Sequence, residues 1–141
     1  MKGFLIDTNV LSELRKGARA DVNVRRWFEG IDDNSIFLSV LVTGEIRRGI
    51  ESIRKRDARA ALALERWLDN VMEAYSERVL PVDAATADEW GRLDARGTLP
   101  VVDGLLAATA RVHDLTLVTR NVKDVVRTGI DMLDPFTPPA L

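Results

Sequence analysis

A chain of 141 residues with 46% hydrophobic and 30% charged residues has the make-up of one globular domain, large enough to bury a core. It has no cysteine and a single histidine, His113, which excludes disulfides, thiol nucleophiles and thiolate- or histidine-rich metal sites. The net charge of −2 gives no global sign of nucleic-acid binding, and no apolar run is long enough to cross a bilayer.

Met1-Lys2-Gly3 leads straight into Phe4-Leu5-Ile6 without the zones of a signal peptide, so a cytoplasmic location without membrane contact is expected. The apolar run reads as a buried strand that ends at Asp7. A helix follows from Thr8 or Asn9 to Lys16, closed by Gly17. Asp21 caps a second helix carrying Val24, Trp27 and Phe28 and stopping near Gly30. Ile36-Phe37-Leu38 is a second buried strand, followed by Ser39 much as Asp7 follows the first. Val42, Ile46, Ile50 and Ile53 recur at helical spacing over 40–53, with Gly44 and Gly49 suggesting close packing of backbone or ligand, or plain tolerance of glycine.

Residues 57–76 form a clearer helix, with Leu64, Trp67, Leu68, Val71, Met72 and Tyr75 on one face that reads as core or partner surface. Val79–Val82 is a weaker third strand containing Pro81. Thr86 and Glu89 fit a capping box for a helix running to Gly97, with Asp83 as the alternative cap. A helix over 102–113 carries Asp103 in its first turn and His113 at its far end, where packing or C-terminal charge complementarity accounts for it. Thr116–Thr119 is a fourth strand, 121–126 a short helix and Ile130–Leu133 a fifth strand. The segment 135–141 holds Pro135, Pro138 and Pro139 and reads as an irregular tail beyond a domain of residues 1–134. The alternation predicts one α/β domain whose mostly parallel sheet of about five strands is flanked by helices.

In such a sheet, ligands are bound outside the carboxyl ends of the strands, where the following helices begin. That geometry collects Asp7, Glu45 and Asp103 at one edge, with Thr119, Arg120, Asn121 and Asp124 leaving strand four on the same side. Taken singly, Asp103 reads equally as a helix-start acid and Glu45 as the partner of an arginine. Together, three carboxylates without a lysine or histidine repel one another, and a divalent cation relieves the conflict. An all-oxygen donor set favours Mg²⁺ or Mn²⁺, the ions of phosphodiester chemistry. Basic residues group at Arg15, Lys16, Arg19, Arg25 and Arg26 and again from Arg47 to Arg59, faces that suit either solvent or phosphate.

Four blocks occur in order: Leu5-Ile6-Asp7-Thr8-Asn9-Val10-Leu11-Ser12, Leu38-Ser39-Val40 with Gly44-Glu45-Ile46-Arg47-Arg48-Gly49, Asp103 to Ala110, and Leu117-Val118-Thr119-Arg120-Asn121-Val122-Lys123-Asp124. From Phe4 to about Pro135 the chain resembles PIN-domain ribonucleases, in particular the VapC-type toxins of toxin–antitoxin pairs and their FitB-like relatives. The resemblance implies a toxin that cleaves RNA with Mg²⁺ or Mn²⁺ bound by Asp7, Glu45 and Asp103, leaving 5′-phosphate and 3′-hydroxyl ends. It implies that Thr8, Asn9, Ser39 and Thr119 orient carboxylates or water. It also implies a homodimer and a small antitoxin whose C-terminal segment enters the groove. The helices around Trp27 and Trp67 are the expected docking or dimer faces. One departure stands out: many PIN domains carry a fourth acid where this chain has Asn121, leaving Asn121 and Asp124 as secondary ligands.

Two other readings compete. A phosphoacceptor or phosphatase domain would need further acids beside Asp7, where Thr8 and Asn9 stand. A non-catalytic module binding nucleic acid or a protein would use the same acids as caps and salt-bridge partners.

Overall fold

The computed structural model describes residues 2–138; the part of the expected tail at 139–141 lies outside the described residues. Chain order is β1 (Phe4–Ile6), α1 (Thr8–Leu14), α2 (Val22–Glu29), β2 (Ile36–Ser39), α3 (Val40–Arg54), α4 (Ala58–Ala74), β3 (Val79–Leu80), α5 (Ala84–Arg96), α6 (Val101–Val112), β4 (Thr116–Val118), α7 (Val122–Val125) and β5 (Met132–Leu133). The five strands form one sheet in the order β3-β2-β1-β4-β5, and every neighbouring pair is parallel. Phe4 is in register with Ile36 on one side and with Thr116 on the other.

The three central strands are short but apolar on both faces, which a sheet covered by helices on both sides requires. Leu5, Ile6, Ile36, Leu38, Leu117 and Val118 are all buried, and Val10, Val42, Ile50 and Leu106 close over them from the helices. Strand order reverses between β1 and β4. The first three strands step toward one edge and the last two toward the other, so a crevice opens at the carboxyl ends of β1 and β4.

Several boundaries depart from the sequence expectation, each for a local reason. Helix α1 stops at Leu14, and Gly17, at φ +59°, instead opens a separate 3₁₀ turn over Gly17–Arg19. Of the two caps offered for α5, Asp83 is the one used. Its Oδ1 accepts from Thr86 N at 3.0 Å and from the Thr86 hydroxyl at 2.9 Å, which draws Thr86 into the buried side of the first turn. Glu89 turns to Arg92 and Arg111 and closes no capping box. Strand β3 ends at Leu80, before Pro81, which has no N–H for a ladder, and β5 is confined to Met132–Leu133. His113 is the exposed C-cap of α6.

Of the two kinds of neighbour expected at Gly44 and Gly49, backbone or ligand, protein atoms are not the ones that pack there. A Cβ at Gly44 or Gly49 would meet nothing within 4 Å. A Cβ at Gly3 would meet Phe37 Cε1 at 2.8 Å, Leu115 Cδ2 at 2.9 Å and the Ser35 carbonyl at 3.0 Å. At Gly104 it would meet the Trp90 indole at 3.0 Å, which sets how closely the start of α6 approaches α5.

Gly3→Ala should therefore lose about 1–3 kcal/mol in urea unfolding through overpacking. Gly44→Ala, in an open helix interior, should gain up to about 1 kcal/mol.

Candidate metal centre

Asp7 stands at the carboxyl end of β1, on the switch-point crevice. Its backbone N–H donates to Val118 O at 2.9 Å, which ties it to β4. Its side chain is only 7% exposed and does two tasks. One oxygen accepts from Thr8 N at 2.7 Å and so caps α1, while the other accepts from the Thr119 hydroxyl at 2.8 Å. Thr119, itself buried, thus links the ends of β1 and β4 across the crevice. Its Oγ1 also accepts from Asn121 N at 3.0 Å and lies 3.5 Å from Asn9 Nδ2. Asn9 in turn accepts from Arg120 N at 3.2 Å.

Glu45 lies in the second turn of α3, half-buried beside the apolar stripe. It has no arginine partner among the described residues; its Oε1 accepts instead from the Thr8 hydroxyl at 2.6 Å. Two arginines of the same helix are engaged elsewhere, Arg47 and Arg54 both pairing with Glu51 and Glu65, and Arg48 is exposed. Asp103 is half-buried in the first turn of α6. It makes no side-chain hydrogen bond or ion pair among the described residues, so the helix-start alternative rests on the dipole alone.

These acids feel one another's charge. Burial pushes the Asp7 carboxyl above its usual range against the pull of Thr119 and Thr8, and the charge of Glu45 adds to the rise. Asp103 is also raised, first by burial and then by the charges of Asp7, Asp124 and Glu45. No basic side chain contributes to either shift. The negative charge is therefore concentrated where only neutral donors offset it.

The remaining expectations divide. Asp124 is exposed but close enough to raise Asp103, whereas Asn121 contributes only its backbone N–H to the hydrogen-bond chain. The Ser39 hydroxyl, fully buried, accepts from Leu41 N as the cap of α3 and reaches none of the acids. Trp27 and Trp67, expected on docking faces, pack half-buried against the core, Trp27 edge-on to Phe4 with ring centroids 5.3 Å apart. The sequence alone could not show that Thr8 would serve both Asp7 and Glu45, because the second bond spans 37 positions. It also left unread a cavity of about 400 Å³ beside Thr8 and Glu45, whose walls include Ile46, Ile50, Ile53 and Leu64.

The donor set is oxygen only, which fits a hard cation. Among the described residues, no three His, Cys, Asp or Glu side chains already stand together as an ion cage. An Mg²⁺ site does not need one, since that ion is held by one or two carboxylates and fills its octahedron with water and phosphate oxygens.

Comparison with known proteins agrees with the fold and the motif order. The PIN domain family model matches residues 4–128. VapC ribonuclease Y4jK of Sinorhizobium fredii is 30% identical over 140 residues, covering 96% of this chain and 99% of that protein. Toxin FitB of Neisseria gonorrhoeae is 25% identical, covering 94% and 98%. The structure of FitAB bound to an IR36 DNA fragment superposes with a TM-score of 0.87 at 22% identity, covering 97% of this chain and 98% of that one. Among the described residues no helix is long and apolar enough to cross a membrane. The chain belongs to the PIN-domain family, within the VapC/FitB group of toxin ribonucleases from toxin–antitoxin systems.

Proposed function

We propose that the protein is the toxin of a type II toxin–antitoxin pair and an endoribonuclease that hydrolyses RNA phosphodiester bonds with Mg²⁺, or Mn²⁺ in its place. The observation that carries the reading is the set of acids Asp7, Glu45, Asp103 and Asp124 at the switch point, none of them in an ion pair among the described residues. Asp7, Glu45 and Asp103 are the residues that would hold the ion, with Asp124 and Asn121 as outer contributors. When bound, a hard divalent cation screens the phosphate charge and makes water more acidic at neutral pH.

The protein's own part is positioning. Asp7 is held by the Thr8 N–H and the Thr119 hydroxyl, and Glu45 by the Thr8 hydroxyl, so two carboxylates are fixed by donors that themselves carry no charge. Fixing them in advance spares reorganisation during the reaction. Water adds to phosphorus, the 3′-oxygen departs with a proton, and the products carry 5′-phosphate and 3′-hydroxyl ends. For regulation, the cavity beside Thr8 and Glu45 offers an apolar wall with Arg15 and Lys16 on its lining, a surface suited to a small antitoxin segment. The same reading expects a homodimer.

Purified protein should cleave RNA with Mg²⁺ or Mn²⁺ and not with EDTA, and Asp103→Asn should lose at least about a hundredfold in rate. Equal cleavage by that variant would remove Asp103 from the site. A stable acyl-phosphate after treatment with acetyl phosphate, seen by intact mass, would favour the phosphoacceptor reading instead.

Metal should also register as stability. At a concentration a hundredfold above its Kd, Mg²⁺ should stabilise the wild type by about 2.7 kcal/mol and Asp103→Asn by much less. Without metal the order reverses with pH. The folded Asp103 carboxyl is raised, so its ionisation costs stability as pH climbs through and above the ordinary carboxylate range. Asp103→Asn should therefore gain on the wild type in metal-free melts from acid toward neutral pH, and the gap should close in acid.

Asp7→Asn is a less clean probe of repulsion, because the amide cannot accept the Thr119 hydroxyl where Oδ2 does. Thr119→Val, which removes that donor, should lower metal affinity or cleavage about 10–100-fold.

A further inference from the structure

Arg120 lies between two residues of the hydrogen-bond chain, yet its side chain takes no part in that chain. Its backbone N–H donates to Asn9 Oδ1, which fixes the residue beside the acidic crevice. Its guanidinium lies over the Phe136 ring, with the central carbon 4.5 Å from the ring centroid. The residue is exposed and forms no ion pair among the described residues. What sets Arg120 apart from other cations without an ion pair among the described residues, such as Arg15 and Lys123, is its seat on an aromatic ring; Arg47 and Arg54 are tied to Glu51 and Glu65, and Lys16 to Glu13.

The ring beneath Arg120 is firmly placed. Phe136 N donates to Asp134 Oδ1 at 2.9 Å, and Phe136 O accepts from Asn23 Nδ2 at 3.0 Å on α2. Pro135 beside it is buried, and the Thr137 hydroxyl donates to Asp134 O at 2.8 Å. The segment after β5 thus packs back onto α2 as an anchored aromatic platform under Arg120. Stacking on an aromatic face fixes the plane of a guanidinium while leaving its edge N–H groups free, and those groups match phosphate geometry in pairs.

An RNA strand approaching a cluster of carboxylates must find positive charge near the entrance, and Arg120 supplies an unpaired cation there. We propose that Arg120 is a substrate-binding residue that holds a backbone phosphate of the RNA strand at the crevice, with Phe136 as the residue that positions it. The proposal rests on the ribonuclease reading of the same site. The bland alternative is that Arg120 merely pins the segment after β5, and the two differ in what they do to salt dependence.

The test uses a fluorescein-labelled single-stranded RNA oligonucleotide and full-length protein carrying Asp103→Asn to prevent cleavage, titrated in Mg²⁺ from about 50 to 200 mM salt. Adding Arg120→Ala should weaken binding about tenfold at the low-salt end and make the log Kd against log salt slope shallower by about 0.7, one single-strand phosphate. Arg120→Lys should keep the slope and lose part of the affinity, and Phe136→Leu should weaken binding with the slope intact. In otherwise wild-type protein, Arg120→Ala should raise KM with little change in kcat. Unchanged Kd and slope in Arg120→Ala, with or without a lower melting temperature, would overturn the proposal and leave the tether. The parent controls separate the two readings. If wild-type protein cleaves no RNA and the Asp103→Asn parent binds none, the ribonuclease reading itself falls; if they do and the Arg120 variants match them, only this inference fails.

Discussion

The bond from the Thr119 hydroxyl to Asp7 joins the ends of β1 and β4 where strand order reverses, and much of the functional end of the molecule hangs from it. A nearly buried carboxylate is costly unless it is hydrogen-bonded. Asp7 meets that cost with the cap of α1 on one oxygen and Thr119 on the other. Thr119 has its own constraints, since its N–H belongs to the ladder with β5 and its hydroxyl accepts from Asn121 N. The same few bonds therefore orient the carboxylate, start a helix and fix the exit of the chain from β4.

Around that link the protein tolerates an electrostatic conflict. Burial and mutual repulsion raise Asp7 and Asp103, and among the described residues no lysine or arginine relieves either. Elsewhere the chain pairs its charges freely, as the Arg47, Arg54, Glu51 and Glu65 network between α3 and α4 illustrates. Perturbed acids gathered in a crevice while neighbouring acids are paired off form a pattern that functional sites share. It accords with the PIN-domain family to which the chain belongs and with the oxygen-only donor set.

Among the described residues, the groups that hydrogen-bond to these acids are neutral: the Thr8 and Thr119 hydroxyls and the Thr8 N–H. Such donors steer a carboxylate without lowering the negative field that a cation would feel. An arginine in the same place would stabilise the fold and compete with the ion. Arg120, next to Thr119 in the chain, makes no ion pair with the acids among the described residues and stacks over Phe136 instead.

Much of this was legible in the residues. Short apolar runs ending in Asp7, Ser39 and Thr119, alternating with helical periodicity, are enough to demand a parallel α/β sheet, because only a two-sided apolar strand covered by helices satisfies that pattern. Asp21 as the cap of α2 and the carboxyl-edge placement of Asp7, Glu45 and Asp103 follow from the same local rules. What those rules could not reach were choices between neighbours close in energy: Asp83 over Thr86 as a cap, Leu14 over Lys16 as a helix end, and Gly3 and Gly104 rather than Gly44 and Gly49 as the tight positions. The cap and the helix end turned on local hydrogen bonds, whereas packing against distant side chains decided the tight glycines. The Thr8 bond to Glu45, the switch between β1 and β4, and the return of Phe136 to Arg120 likewise join residues far apart in the chain, and only the folded arrangement brings them within reach.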